Sequence, residues 1–439
     1  MTALSLAAPF YAPAAAAQNA EPLPVSWEMT ATGADAARRA GFRGKGIAVG
    51  VLDRGFLVRH PLLSGPNFHP LGSTLNIEDA TLVFDAGALQ REEHAGRSVY
   101  AAHGASVSAA IAARPHPGLA YLGGIAPDAE VYLASMTPSD IRFAAPQGSR
   151  HTGSGNDNTL FQPLDQQILR HGLHTLYRNA PALRVINNSW NDDAAGDLPA
   201  AVDAAYRHAR QLSQAASPLL DSFRAAVRQD VLLVFAAGNE SQAQPGLMAA
   251  LPRYLPELES RFLSVVALDA DGRLAAYSNH CGVSKAWCLS APGDIYTASA
   301  GSAPADAGPV YNLARVQGTS IAAPLVSGAA ALIRERFPYM TMAQVRNVML
   351  STATPQGAER ISEAQGWGRL NVAGALLGPA QLLGDPVYHL DRTRHPDGDV
   401  WRNDIVAGGR LGKTGNGTLS LSGNNTLNTI VVDGGTLRF

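Results

Sequence analysis

The chain has 439 residues, 46% of them hydrophobic and 16% charged, and 34 Lys+Arg against 36 Asp+Glu give a formal net charge of −2. At roughly 150 residues per domain this length allows one to three domains, and the apolar content excludes a disordered chain. The near-neutral balance argues against a dedicated nucleic-acid binder, and no uninterrupted apolar run reaches the ~18 residues of a membrane helix.

Residues 3–17, ALSLAAPFYAPAAAA, are small and apolar. They end in Ala15-Ala16-Ala17 before polar Gln18-Asn19, the pattern of a cleaved export signal over 1–17. No Lys or Arg precedes the run, and Pro9 and Pro13 interrupt it, so an Ala/Pro-rich tail is the bland alternative. Residues 18–45 form an N-terminal extension with a short helical stretch over 34–40. The run IAVGVL over 47–52 predicts a buried strand. A helix is predicted over 102–114, strands over 129–134 and 184–188, mostly helix over 197–229, and a strand over 231–236. The stretch IAAPLVSGAAALIRERF over 321–337 is apolar nearly all round and predicts a core helix. Strands alternating with helices predict an α/β fold, a doubly wound parallel sheet with flanking helices over 46–378. Beyond 378 the pattern changes. Residues 379–407 read as a linker, polar and irregular over 385–402, and 408–439 are Gly/Asn/Thr-rich with short alternating apolar segments. The latter read as the first turns of a β-solenoid, which needs about three or more repeats to bury a core. The chain is therefore expected to stop as a second region begins.

The two cysteines, Cys281 and Cys288, are too few for a disulfide scaffold or a four-ligand zinc site. Seven positions apart, they either stay free thiols in a reducing compartment or close a small loop after export.

Candidate chemistry sits at element ends. Asp53 follows the first apolar strand, Asn239 follows VLLVFAAG, His103 opens a helix, and Gly318-Thr319-Ser320 opens the apolar helix. Sites in doubly wound sheets form beyond the carboxyl ends of strands, and a helix N-terminus offers free N–H groups. Four elements therefore deliver a carboxylate, an imidazole, an amide and a hydroxyl to one cleft, the set required for acyl transfer. Singly, each has a structural reading: a turn Asp, a structural His, a turn Asn, a helix cap.

The order and surroundings of these residues resemble the subtilisin-like serine proteases, peptidase family S8, over residues ~26–378. Gly318-Thr319-Ser320-Ile321-Ala322-Ala323-Pro324 is similar to the family's nucleophile motif throughout, and it continues as Leu325-Val326-Ser327-Gly328. Val49-Gly50-Val51-Leu52-Asp53-Arg54-Gly55 resembles the aspartate motif, with His60-Pro61 after it. His103-Gly104-Ala105-Ser106 resembles the histidine motif, and Ala236-Ala237-Gly238-Asn239 the oxyanion motif. Ser189-Trp190-Asn191 resembles the substrate-lining strand, and Gly366-Trp367-Gly368-Arg369-Leu370-Asn371 the family's C-terminal close. The resemblance implies that Ser320 attacks the scissile carbonyl, His103 moves its proton and Asp53 orients the imidazole. Asn239 and the Ser320 N–H would bind the oxyanion. Three departures stand out. Arg54 replaces a small residue, Ala105 and Ala109 replace Thr and Gly, and Asn191 replaces a Gly in a way expected to narrow or re-aim the substrate channel.

The tail motifs Trp401-Arg402-Asn403-Asp404-Ile405 and Gly412-Lys413-Thr414-Gly415-Asn416-Gly417-Thr418-Leu419 resemble the passenger repeat of bacterial autotransporters. That likeness implies a β-helix ending in an outer-membrane barrel, absent here. It also implies export and a disulfide between Cys281 and Cys288. Between Ala17 and the first strand no long chaperone-like prodomain is expected to fit. Other motifs fail. Ala407 stands where a phosphate loop ending in Gly412-Lys413-Thr414 needs its first Gly, and Gly41, Gly44 and Gly46 precede a strand instead of following it. Asp269-Ala270-Asp271-Gly272 reads as a turn and not a calcium loop. His94, His116 and His151 lack ligand-like spacing. The expectation is an exported serine endopeptidase, a monomeric catalytic domain acting on polypeptides. It would have no required cofactor and no read metal site, with structural calcium left open. The rival is a non-catalytic surface binding module on the same scaffold.

Overall fold

A computed structural model describes residues 24–439 except 79, 95–96, 144–161, 193–195, 213–216, 305–306 and 407. The candidate export signal over 1–17 and His151 lie outside the described residues. The centre is a seven-stranded sheet. Its strands run, edge to edge, Cys288–Pro292, Phe262–Leu268, Leu232–Ala236, Leu183–Asn188, Ala48–Asp53, Glu130–Ser135 and Phe68–Pro70. Every pairing in it is parallel.

The continuous apolar runs are explained by burial on both faces. Successive side chains of a strand point to opposite sides, and a parallel sheet covered by helices needs both sides apolar. Val49, Val51, Val185, Leu232, Val234, Leu263 and Val265 join one core, whereas Ala48, Leu52, Ile186, Leu233, Phe235 and Phe262 join the other. The first core also holds the helices His103–Ala112 and Thr319–Arg336; the second holds Pro163–Asn179 and Pro218–Arg228. From Thr319 through Ile333 the central helix is buried on all sides. Gly328 permits its close approach to Ile125, since a Cβ there would lie 2.8 Å from the Ile125 Cβ.

Predicted boundaries shift by a residue or two. The first strand is Ala48–Asp53, the His103 helix ends at Ala112, and the long helical stretch splits into Pro199–Leu212 and Pro218–Arg228. The hairpin Asp294–Gly301 with Val310–Gln317 feeds directly into Gly318. It is braced by Asp294, which accepts from Arg315 Nε at 2.7 Å and from Gln317 Nε2 at 2.7 Å. The Gly366–Asn371 segment covers the edge strand: Ser290 N–H donates to Gly368 O at 2.9 Å and Leu370 N–H to Ser290 O at 2.8 Å. Pairing the edge in this way removes a row of open backbone groups.

The stretch 385–402 is not wholly irregular. It contains strands Val387–His389 and Asp399–Trp401, which pair in parallel with Arg410–Thr414 and Thr418–Leu421. These in turn pair in parallel with Thr429–Val432 and Thr436–Arg438, giving two three-stranded sheets. The strands are three to five residues long, too short to show a period in a polar sequence. Trp401, Tyr388, Leu390, Leu411 and Leu419 join the first core of the α/β region, so packing across the junction is continuous. Trp401 Nε1 donates to Tyr339 Oη at 2.9 Å, and Tyr339 Oη and Arg336 Nη2 both donate to Asp399, at 2.6 and 2.7 Å. Lys413 is fully buried, and its ammonium donates to the carbonyls of Thr414, Gly415 and Gly434. No helix among the described residues is long and apolar enough to cross a membrane.

Candidate active site

Asp53 ends the strand at which the winding of the sheet changes direction, the position where doubly wound sheets form their crevice. Its side chain is 2% exposed, and Oδ1 lies 2.7 Å from His103 Nδ1 while accepting the Arg54 N–H at 2.7 Å. Oδ2 is buried with no hydrogen-bond partner among the described residues. The His103 helix lacks a capping side chain. Its early N–H groups are satisfied instead by the Asp53 loop: Gly104 N–H donates to Arg54 O at 2.7 Å and Ala105 N–H to Gly55 O at 3.0 Å. This explains two glycines. A Cβ on Gly104 would sit 2.7 Å from the Phe56 ring, and Gly55, at φ +68°, would drive one to 2.4 Å from Ala101 O.

Ser320 is the second residue of the buried helix and is 8% exposed. Pro324, four residues on, has no N–H, so the Ser320 carbonyl lacks its helical donor. The Ser189 hydroxyl supplies it, donating to Ser320 O at 2.7 Å. Ser189 Oγ in turn accepts from Asn187 Nδ2 at 2.8 Å, and Asn187 Oδ1 accepts from Ser327 Oγ at 2.9 Å. A buried chain of polar groups thus ties the end of one strand to the first turns of the helix.

Asn239 is exposed after the strand Leu232–Ala236. Its Oδ1 accepts from Thr319 N at 2.8 Å and Thr319 Oγ1 at 3.0 Å, so the amide group Nδ2 faces away from Thr319. A Cβ built on Gly318 would lie 2.8 Å from Ser320 Oγ and 3.8 Å from Asn239 Nδ2. The hydroxyl and the amide therefore border one small space that only a glycine at 318 leaves open. The buried helix N-terminus and a preset amide donor there suit a developing negative charge.

The Ser189-Trp190-Asn191 strand end differs from expectation in where its side chains go. Trp190 is buried edge-on to Phe235 with ring centres 5.3 Å apart. Asn191 is also buried; its Nδ2 donates to Ala236 O at 2.6 Å, and its Oδ1 accepts from the N–H groups of Asp192 and Met248. The Asn191 side chain thus joins the end of the neighbouring strand to the helix Leu247–Ala250. Cys281 and Cys288 form a disulfide beside Ala237 and Val266, behind the Asn239 loop. His60 is structural: Nε2 bonds to Asn312 O at 2.9 Å and Nδ1 accepts from Leu62 N–H, with burial lowering its pKa. Asp269 closes a turn, its Oδ1 accepting from the N–H groups of Asp271 and Arg273. His116 is exposed. Among the described residues no three His, Cys, Asp or Glu side chains cluster closely enough to hold a metal ion. Asn187, Tyr277 and Asn279 contribute to the site without a sequence signal of their own, because each acts across a long-range contact.

Residues 44–368 match the model of the subtilase family. Serotype-specific antigen 1 of Mannheimia haemolytica is 36% identical over 428 residues, covering 90% of this chain and 45% of that protein. The Neisserial autotransporter lipoprotein NalP of Neisseria meningitidis serogroup B is 28% identical over 441 residues, covering 91% of this chain and 39% of that protein. Among solved structures, the MycP3 protease from the type VII (ESX-3) secretion system aligns with a TM-score of 0.54 at 25% identity, covering 81% of this chain and 89% of that one. The chain spans less than half the length of these two curated relatives.

Proposed function

The chain belongs to the subtilase family of serine peptidases, and on that premise we propose that it is an endopeptidase acting on polypeptides through Asp53, His103 and Ser320. The observation that carries the reading is the 2.7 Å pairing of buried Asp53 with His103 Nδ1 beyond the carboxyl end of an interior strand, with the start of the Ser320 helix held by Ser189 just past the neighbouring strand. In the proposed reaction His103 takes the Ser320 hydroxyl proton as Oγ bonds to the scissile carbonyl carbon. The carbonyl oxygen becomes an oxyanion that accepts from Asn239 Nδ2 and the Ser320 N–H. Collapse breaks the C–N bond as His103 returns the proton to the leaving amine, and water then hydrolyses the acyl-enzyme with His103 again as base. Asp53 holds the imidazole tautomer and stabilises its cation. No organic cofactor enters; calcium is left open. Removing the Asn239 amide is expected to cost about 10²–10³ in kcat, the magnitude known from a subtilisin, a member of the same family.

Export through a signal over 1–17 and display at the surface of the cell extend the reading, supported by the autotransporter relative and by the disulfide. The parallel strands from Val387 onward fit the start of a β-solenoid passenger. Attachment to an outer membrane would then run through a β-barrel outside these residues. The deciding experiment is labelling with a fluorophosphonate serine probe, wild type beside Ser320→Ala and His103→Ala. Labelling of wild type alone supports the triad. Folded wild type that does not label refutes it and favours the non-catalytic binding module.

A further inference from the structure

The segment Tyr277-Ser278-Asn279 lies on neither the Ser320 helix nor the Asn239 loop, yet it bonds to both. Asn279 is fully buried. Its Oδ1 accepts from Glu240 N and Gln242 N, both at 3.0 Å, and its Nδ2 donates to Ala237 O at 3.2 Å and Glu240 Oε2 at 2.7 Å. An asparagine amide has two acceptor sites and two N–H donors, so its capacity is fully used, and every partner lies within three residues of Asn239. The backbone adds three more ties: Asn279 N–H to Gly238 O at 3.0 Å, Ser241 N–H to Tyr277 O at 3.0 Å and His280 N–H to Gln242 O at 2.8 Å. A side chain at Gly238, at φ +111°, would place its Cβ 2.3 Å from Asn279 Nδ2, so the loop sits directly on this amide.

Tyr277 serves the other side. Its hydroxyl donates to Gly293 O at 2.6 Å and accepts from Gly318 N–H at 3.1 Å, two residues before Ser320. Gly318 N–H also reaches Gly293 O at 2.9 Å, so the three groups form a closed triangle at the entry to the helix. Ser278 anchors the segment to the sheet, its Oγ accepting from Ala267 N–H at 3.0 Å.

We propose that Asn279 and Tyr277 are positioning residues for oxyanion stabilisation: Asn279 sets the Asn239 amide, and Tyr277 sets the backbone that presents Ser320 and its N–H. This rests on the endopeptidase reading above and deepens it. Preset donors stabilise charge because they need no reorganisation during reaction, and a displacement of about 1 Å costs about 10²-fold in rate. A loop anchored by one buried amide is therefore a sensitive point for kcat while leaving substrate binding largely alone.

The test compares Asn279→Ala and Tyr277→Phe, in the whole chain, with and without Asn239→Ala. The readouts are kcat and KM on a chromogenic peptide amide, fluorophosphonate labelling rate and melting temperature. Asn279→Ala should lower kcat about 10–100-fold with KM within about threefold. In the Asn239→Ala background the further loss should shrink to about twofold or less, because the donor it positions is gone. Tyr277→Phe keeps the ring and should lower kcat about 3–10-fold without a comparable change in KM. Equal losses in both backgrounds, or unchanged kcat, overturn the proposal. If Asn279→Ala does not fold, Tyr277→Phe decides on its own kcat. An active wild type with unaffected variants overturns only this inference, whereas a folded wild type that neither labels nor turns over overturns the endopeptidase reading as well.

Discussion

Replacing Ser189 by Ala probes the link between the strand end and the nucleophile helix. Pro324 deprives the Ser320 carbonyl of its helical partner, and the Ser189 hydroxyl supplies one at 2.7 Å. The substitution strands that carbonyl and one N–H of fully buried Asn187. An unsatisfied buried group costs about 1–3 kcal/mol, so the two together should cost about 2–6 kcal/mol. Unfolding entropy of ~2.1 cal/mol/K per residue over roughly 400 residues converts this to a melting temperature lower by about 2–7 °C. Differential scanning calorimetry reads the shift directly. Pro324→Ala restores an N–H able to reach Ser320 O, so Ser189→Ala should cost about half as much in that background. Equal losses with and without Pro324 would refute the account, as would a melting temperature within about 1 °C of wild type.

Other perturbations follow from the same contacts. Replacing both Cys281 and Cys288 by Ala removes a cross-link spanning seven positions. The chain-entropy model gives about 2–3 kcal/mol for so short a loop, measurable as a lower denaturant midpoint, and alkylation of the native protein should succeed only after reduction. Glu28 is 2% exposed, and burial pushes its carboxyl up to about 7 from 4.5. A raised folded-state pKa contributes stability that is full below the unfolded value and lost as pH rises through about 7. Wild type should therefore lose a few kcal/mol between pH 5 and 8, about 2–3 by linkage, whereas Glu28→Gln should flatten that part of the profile; an unchanged slope would show that another group titrates. Trp401→Ala should cost about 3–5 kcal/mol as a large-to-small core change, because its indole is fully buried against Gly378 and Tyr388. Ending the chain near Gly378 should then lower the melting temperature sharply, although the tail carries no proposed reacting group.

Much of the α/β architecture was legible because its signals are local. A run such as Ile47–Leu52 can be buried on both faces only in a covered parallel sheet, and the helix from Thr319 announces itself by being apolar all round. Asp53, His103, Asn239 and Ser320 were legible as element-end residues, each carried by a contiguous motif. The strands Val387–His389 and Asp399–Trp401 left no trace in a stretch that reads as irregular, because three-residue strands hold no period and are defined by the neighbouring coils they pair with. Trp190 and Asn191 are expected at a substrate-lining strand from their motif, but the contacts that bury their side chains, Phe235 for Trp190 and the Ala236 carbonyl and Met248 N–H for Asn191, are long-range and leave no local signal.

The sequence by itself determined the strands and helices with a strong local signal, such as those at 47–52, 231–236 and 321–337, and which reactive side chains stand at element ends, since periodicity, glycine and proline act over a few residues. Only the tertiary structure decided what supports them. Ser189 reaches the Ser320 carbonyl across 131 positions, and Asn279 holds the Asn239 loop from about 40 positions away. The physical reason is that a hydrogen bond between buried polar groups is set by strand order and loop approach, and neither leaves a periodic trace in the residues that make it.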